Sequence, residues 1–529
     1  MGLWAKSVVI FNLIRDHGQQ SVRRLANQSG LSKSSVHRHL QAIKRRDRYP
    51  ESWFWETETG RTWLVRLVVA TLFVFGLKRG VGAETIREFF GHLHLSAHVG
   101  CSPSALRHLM NTLERIILET ATAWEQEGIA HGEIRPVIGA VDETFLQRLM
   151  LVFMDLSSGY LLMEDIAVDR SYDTWYGLVN ERLKTFGTGV LYLVSDRAKA
   201  LVKLAHTGLR GLSIPDLFHL SHDLAKGYSL AIFSRLRQAQ QALGQARQRL
   251  EGLQVREPGS LHVQQAQACV EVCAASVKYW REVRREWREH LGNLSRIIHP
   301  WRLSDSTPQR SKEVEDLLRV ELEATQTLLE TNGLPMKPGT LDKVRKQLAG
   351  VSALVDFWWQ SVRQDLEQMT MPPKWHQWVE EALLPLMYWQ AQLLRTRSRA
   401  QKVQITFVLQ LVQEAFERHP CTASLTPEVL AGWQSWACDH VRAFQRASSA
   451  VEGRNGYLSQ MQHNHCGLPT RRYQVWTVLH NFDCRAADGT TPAQRFFRRA
   501  FPDLFECVLS QVGALPMPRQ RHQTIAVSD

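Results

Sequence analysis

Two aspartates stand where metal chemistry is most readily built. Asp142 closes the apolar run 136–141 and leads into Glu143-Thr144, and Asp196 closes the run 190–194 in Val194-Ser195-Asp196-Arg197. Carboxylates at the ends of two neighbouring strands converge, and converging carboxylates repel each other unless a divalent cation lies between them. Magnesium (or manganese) suits such a pair, because it takes oxygen ligands and lets water and phosphate oxygens complete its shell. Two ions in one site would activate a water or hydroxyl and stabilise the leaving oxygen of a phosphodiester. A lone strand-end aspartate more often only caps the next helix; the pair, on these particular strands, points to the metal. Glu143 is an auxiliary acid, directed to the opposite side if its strand continues. Asp216 and His219 either line the same site or cap a helix. A third acid, Glu452, sits far along the chain in the helical stretch 442–462, with Arg446, Arg454 and Asn455 around it.

The elements that must position these groups can be read from periodicity. Apolar runs at 136–141, 149–156 and 160–168 read as three strands, with Ser157-Ser158-Gly159 as the turn between the last two. The stretch 172–186 reads as a helix, 190–194 as a fourth strand and 212–217 as a fifth. Three antiparallel strands followed by right-handed crossovers is a ribonuclease H-like layout, in which the first and fourth strands lie parallel and adjacent. Asp142 and Asp196 then share one end of the sheet. Residues 225–445 read as almost wholly helical, with recurring tryptophans suited to helix–helix contacts. Cys269 and Cys273, one turn apart, are expected to be buried.

The N-terminus carries three short helical patterns, at 6–16, 21–28 and 32–46, with Ser21 and Ser32 or Ser34 as caps and Gly30 as the turn. Ala26, Gly30 and Val36 fall where a helix-turn-helix needs a small contact residue, a turn and a core residue. The third helix bears Lys33, Ser34, Ser35, His37 and Arg38 for base edges, and Lys44, Arg45 and Arg46 for phosphates. Its bland alternative is a basic amphipathic helix in an unrelated bundle. After a tryptophan-rich link at Trp53 and Trp55, read as extended, 85–90 and 102–113 form either a second DNA-reading unit or a supporting bundle.

The 529 residues exceed one ordinary core, and a formal net charge of +12 favours polyanionic partners, nucleic acid first. Eight scattered cysteines suit a reducing compartment, and the apolar stretch 63–77 reads as a buried helix, so a cytoplasmic protein is expected, without membrane association. The fold class is multidomain and mostly α with an α/β core. A helix-turn-helix occupies 1–50 and a second helical DNA-binding or dimerisation domain 51–132. The ribonuclease H-like core takes 133–225 and 441–500, split by a helical insertion at 226–440, and 501–529 forms a tail.

Val141-Asp142-Glu143-Thr144, Val194-Ser195-Asp196-Arg197, Asp216-Leu217-Phe218-His219 and Val451-Glu452-Gly453-Arg454-Asn455-Gly456, in this order, resemble the motifs of bacterial insertion-sequence transposases of the DDE class. His480-Asn481-Phe482, 488–493 and Arg495-Phe496-Phe497 resemble segments that follow the last acid in such enzymes. The resemblance implies an Asp142/Asp196/Glu452 triad holding two magnesium ions. It further implies cleavage at element ends, strand transfer into target double-stranded DNA, and a homodimer that synapses two ends. The chain departs from the family around Glu452, where the usual preceding tyrosine and following lysine are missing; Arg446, Arg454 and Asn455 are substitutes placed by local position only. A DNA-binding regulator that has lost catalysis and a structure-specific nuclease remain as alternatives. His463, His465, Cys466, His480 and Cys484 lack a paired Cys-x-x-Cys knuckle and are a poor zinc set.

Overall fold

The computed structural model describes residues 3–335, 338–369, 372–464 and 470–518. His465 and Cys466 of the zinc reading, and 519–529 of the expected tail, lie outside the described residues. The chain divides into two compact units, one of residues 1–134 with 455–529 and the other of residues 135–454.

In the first unit, α1 (Leu3–His17), α2 (Val22–Ser29) and α3 (Lys33–Arg46) pack round Ile10, Leu25, Ala26, Val36 and Ile43. The local chemistry sets their ends. Ser21 and Ser32 accept backbone N–H groups of Arg24 and Ser35, capping α2 and α3, and Gly30 at φ +68° makes the left-handed turn a β-carbon would oppose. The link expected to be extended is instead helical, at Ser52–Glu56. It is tied down by an ion pair the sequence does not announce: Arg46 turns inward, away from any phosphate, and holds the buried Glu56 carboxylate with two hydrogen bonds while donating to Ser7 Oγ at 2.8 Å. Burial alone would raise the Glu56 carboxyl, but hydrogen bonds from Arg46 and His98 outweigh it and bring it down to about 2. Since the folded value lies below the unfolded one, this contribution is complete above pH 4.5 and is lost as pH falls from there towards 2. Arg46→Met, which strands the carboxylate, is expected to cost about 3–5 kcal/mol and to flatten that acid transition, as read by denaturation between pH 2 and 7.

One helical stretch, Glu58–Lys78, is long and apolar enough to cross a membrane by length and composition; half of its most apolar window is buried, through residues such as Leu64, Val68, Leu72 and Leu77. The 29-residue helix Pro103–His131, capped by Ser102, presents Leu106, Leu113 and Ile117 to the same unit's core. Residues 455–518 join this unit rather than completing the sheet domain, as 441–500 was expected to do. Trp476 donates its indole N–H to Leu77 O at 2.7 Å, Arg472 pairs with the buried Glu114, and Tyr457 donates to Lys78 O at 2.9 Å. These contacts join residues hundreds of positions apart, which no local pattern reveals.

The second unit is built on a five-stranded sheet: β1 (Val137–Phe145), β2 (Leu149–Asp155), β3 (Tyr160–Ala167), β4 (Val190–Ser195) and β5 (Leu212–Pro215). The order is β3-β2-β1-β4-β5, with β1–β2 and β2–β3 antiparallel and β1–β4 and β4–β5 parallel. The near-continuous burial of β2 explains why its sequence is a solid apolar run rather than an alternation. The helical segment opens with a long pair, Leu217–Arg256 and Leu261–Ile297, and centres on Trp301, Trp358, Trp359, Tyr388 and Trp389, whose rings meet at centroid distances of 5.0–5.4 Å. These tryptophans fill helix contacts, as their spacing suggests. Cys269 is exposed and Cys273 half-buried, so the expectation that both are buried fails: this stretch of the Leu261–Ile297 helix is largely exposed.

Candidate functional site

The register of the sheet places the acids. β1 and β4 pair in parallel up to Ala140↔Val194; β1 runs on through Asp142, whereas β4 ends at Ser195 and Asp196 lies just beyond it. Their side chains then part company. Asp142 turns inward, and one ligand atom each from Asp142, His219 and Glu452 lies within 4.8 Å of the others, the group of metal-ligating type found among the described residues. Asp196 is exposed, and its carboxylate accepts the Ala198 N–H at 2.8 Å, in a turn where Arg197 takes φ +65°. The structure therefore brings Asp142 and Glu452 together, adds His219, and leaves the Asp196 carboxylate outside the cluster.

His219 reaches the cluster because Asp216 aims it. Asp216 is buried at the end of β5, where its carboxylate caps the Leu217–Arg256 helix by accepting the Phe218 N–H at 2.9 Å. It also accepts the Ser448 N–H at 3.0 Å, a hydrogen bond from Ser448 Oγ, and one from His219 Nδ1 at 2.7 Å. The capping and site-lining readings of Asp216 thus hold together. This one carboxylate joins the point where the chain leaves the sheet for the helical segment to the point where it returns, just ahead of Glu452. His219 Nε2 stands 3.4 Å from Glu452 Oε1. A carboxylate behind one ring nitrogen, with the other nitrogen facing ligand oxygens, is the arrangement that orients a metal-binding histidine.

The electrostatics follow from this crowding. The Asp142 carboxyl is pushed up to about 7, first by burial and then by the Glu452 charge. The His219 imidazole is raised to about 9, first by its hydrogen bond to Asp216, against the cost of burial, with the charges of Asp216, Glu452 and Asp142 adding. Burial would raise Asp216, but the hydrogen bonds from His219 and Ser448 overcome it and hold that carboxyl low. A histidine and an acid shifted in this way, side by side, mark a place built to hold positive charge among carboxylates.

Other residues assigned from sequence fall elsewhere. Glu143 does point away, into an ion pair with Arg170. Arg446 is no DNA contact: its guanidinium donates to the carbonyls of Ser295 and Ile298 and approaches His299 Nε2 at 3.2 Å, closing the C-terminal end of the Leu261–Ile297 helix. Arg454 and Asn455 are buried, and Arg454 is committed to Glu164. Each had been placed on DNA by sequence position, and each is drawn inward by a partner or packing that lies far away along the chain. Gly453 and Gly456, in the Ser449–Asn464 helix, are exposed, and a β-carbon on either would meet nothing within 4 Å. No neighbour among the described residues demands them, although glycine in a helix costs about 1 kcal/mol. Gly453→Ala is accordingly expected to raise stability by up to about 1 kcal/mol, as read by denaturation.

On α3, Lys33, Ser34, His37, Arg38, Lys44 and Arg45 are exposed and Ser35 half-buried, while Val36, His39 and Ile43 face the core. The exposed set recurs at helical spacing as 34, 37, 38, 41, 44 and 45, leaving one donor-rich face free for a groove. Residues 5–46 match the IclR helix-turn-helix domain. The chain therefore carries an N-terminal helix-turn-helix domain, which suggests DNA binding. Residues 379–524 match DUF6399, a family of unknown function, in a segment that includes Glu452. No curated protein matches the chain.

Proposed function

We propose that this chain is a DNA-processing enzyme of the DDE transposase type, in which the helix-turn-helix binds the ends of a mobile element and the Asp142–His219–Glu452 site cuts and joins strands. The observation that carries the reading is the meeting of Asp142, on β1, with Glu452, from the far side of the long helical segment, in a cluster with ligand atoms within 4.8 Å. The strand order β3-β2-β1-β4-β5 supports it, being the order expected of a ribonuclease H-like core. The donor set, two carboxylates and an imidazole held by Asp216, fits a divalent cation, and Asp142, Glu452 and His219 would hold it. A cation bound there would supply water activation and charge stabilisation at a phosphodiester. The imidazole inclines the set towards manganese over magnesium, since magnesium favours oxygen donors alone. Asp216 keeps the His219 ring from turning. Two protomers would synapse two ends.

A DNA-binding regulator is the second reading, and one observation favours it: the Asp196 carboxylate stands outside the cluster, bound to its own turn. An assay with purified protein, Mn²⁺ or Mg²⁺ and DNA carrying the element's ends separates the two. The proposal expects cleavage followed by joining, both lost in Asp142→Asn. Binding without cleavage by the wild type would establish the regulator, and cleavage without joining a structure-specific nuclease.

A further inference from the structure

Glu452 is brought to Asp142 across the whole helical segment, so something must set the rotation and height of its helix against the sheet. Asp216 anchors the start of that helix through Ser448, ahead of Glu452, and its rotation needs a further contact beyond Glu452. A second contact supplies the missing constraint. Arg454 lies two residues beyond Glu452, and its guanidinium forms a two-pronged pair with Glu164 on β3, Nε to Oε1 and Nη2 to Oε2, both at 2.7 Å. The side chains are 5% and 1% exposed, so the pair is shielded from solvent screening.

The place of Glu164 in the sheet is what gives this pair meaning. Asp142 on β1 pairs with Val152 on β2, and Val152 pairs with Glu164 on β3. Asp142, Val152 and Glu164 therefore form one rung, and directly paired residues project to the same face of a sheet. Strand spacing puts the backbones of Asp142 and Glu164 about 10 Å apart, roughly the diameter of a helix with its side chains. Successive residues on a helix are separated by about 100°, so Glu452 and Arg454 leave it about 200° apart, on nearly opposite sides. Fixing Arg454 to one end of the rung while Glu452 meets the other determines both the roll and the height of the helix.

We propose that the Glu164–Arg454 ion pair is the positioning device of the site, locking the helix that carries Glu452 to the rung of the sheet that carries Asp142. The inference rests on the reading of Asp142, His219 and Glu452 as cation ligands. It also accounts for the use of an ion pair at this buried position. Apolar residues of similar volume generally stabilise a fold as well or better, whereas a two-pronged arginine–carboxylate pair sets a geometry.

The experiment uses the full chain and Mn²⁺ alone, titrated by calorimetry, with Asp142→Asn defining binding elsewhere on the protein. The double variant Glu164→Met/Arg454→Met is expected to keep or raise the thermal midpoint and yet bind Mn²⁺ at the site at least about tenfold more weakly, the scale seen when groups that orient metal ligands are lost. A folded double variant with wild-type Mn²⁺ affinity would overturn the proposal and leave the metal site standing. Equal Mn²⁺ binding by the wild type and Asp142→Asn would overturn both. If the double variant does not fold, Arg454→Lys decides in the same way, since it keeps the charge and loses the two-pronged geometry: weakened Mn²⁺ affinity at an intact fold supports the device, and unchanged affinity removes it.

Discussion

Mn²⁺ affinity at the Asp142–His219–Glu452 site is expected to climb steeply with pH and to level off near pH 9. A ligand must shed its proton before it can bind a cation, so the dependence follows from the two raised groups. Asp142 is raised to about 7 and His219 to about 9. Below pH 7 both are protonated without the cation, and binding displaces two protons. Between 7 and 9 only His219 still carries one, and above 9 neither does. Affinity should therefore rise by up to about a hundredfold per pH unit below 7 and about tenfold per unit from 7 to 9. Titrations in buffers of different ionisation enthalpy count the released protons directly. His219→Ala should abolish the upper limb and leave at most one proton at low pH. A wild-type affinity indifferent to pH would remove both residues from the ligand set.

The second large effect concerns strand cleavage. Asp142→Asn and Glu452→Gln should each lose on the order of a thousandfold or more, because a cation at a phosphodiester is worth several kcal/mol and each 1.36 kcal/mol is tenfold in rate. Asp196→Asn should lose about as much, although its carboxylate stands apart from the cluster. Asp196 directly follows β4, the strand beside β1, and its carboxylate is engaged by the Ala198 N–H in a hydrogen bond worth about 1–3 kcal/mol. A divalent cation beside a phosphate repays more than that. Single-turnover cleavage of labelled element ends by the three variants measures the order. Near-wild-type rates for Asp196→Asn would mean that catalysis runs on Asp142, His219 and Glu452 without it.

Much of this was local enough to read in advance. Ser21, Gly30 and Ser32 write the helix-turn-helix into the chain through caps and a left-handed turn, each a matter of a few adjacent atoms. The apolar runs around Asp142 and Asp196 mark the strands for the same reason, since a strand buried on both faces has to be apolar throughout. The strand order then followed from the general handedness of crossovers, and it was enough to put the strands that lead to Asp142 and Asp196 side by side.

Other features were settled only by which distant surfaces meet. An arginine reads as a DNA contact from its charge, yet Arg46, Arg446 and Arg454 all turn inward, because Glu56, the carbonyls of Ser295 and Ile298, and Glu164 wait there. His219 could be a helix-capping neighbour or a ligand until Asp216 and Glu452 closed on it from the two ends of the helical segment. The chain after Arg454 returned to the N-terminal unit, where the pattern of apolar residues shows that a face is buried but carries no record of its partner. Spacing along a chain thus determined which side chains are available for chemistry and which secondary elements hold them. Tertiary structure decided which became neighbours, because ion pairs and metal ligands act over a few ångströms in space, whatever the separation in sequence.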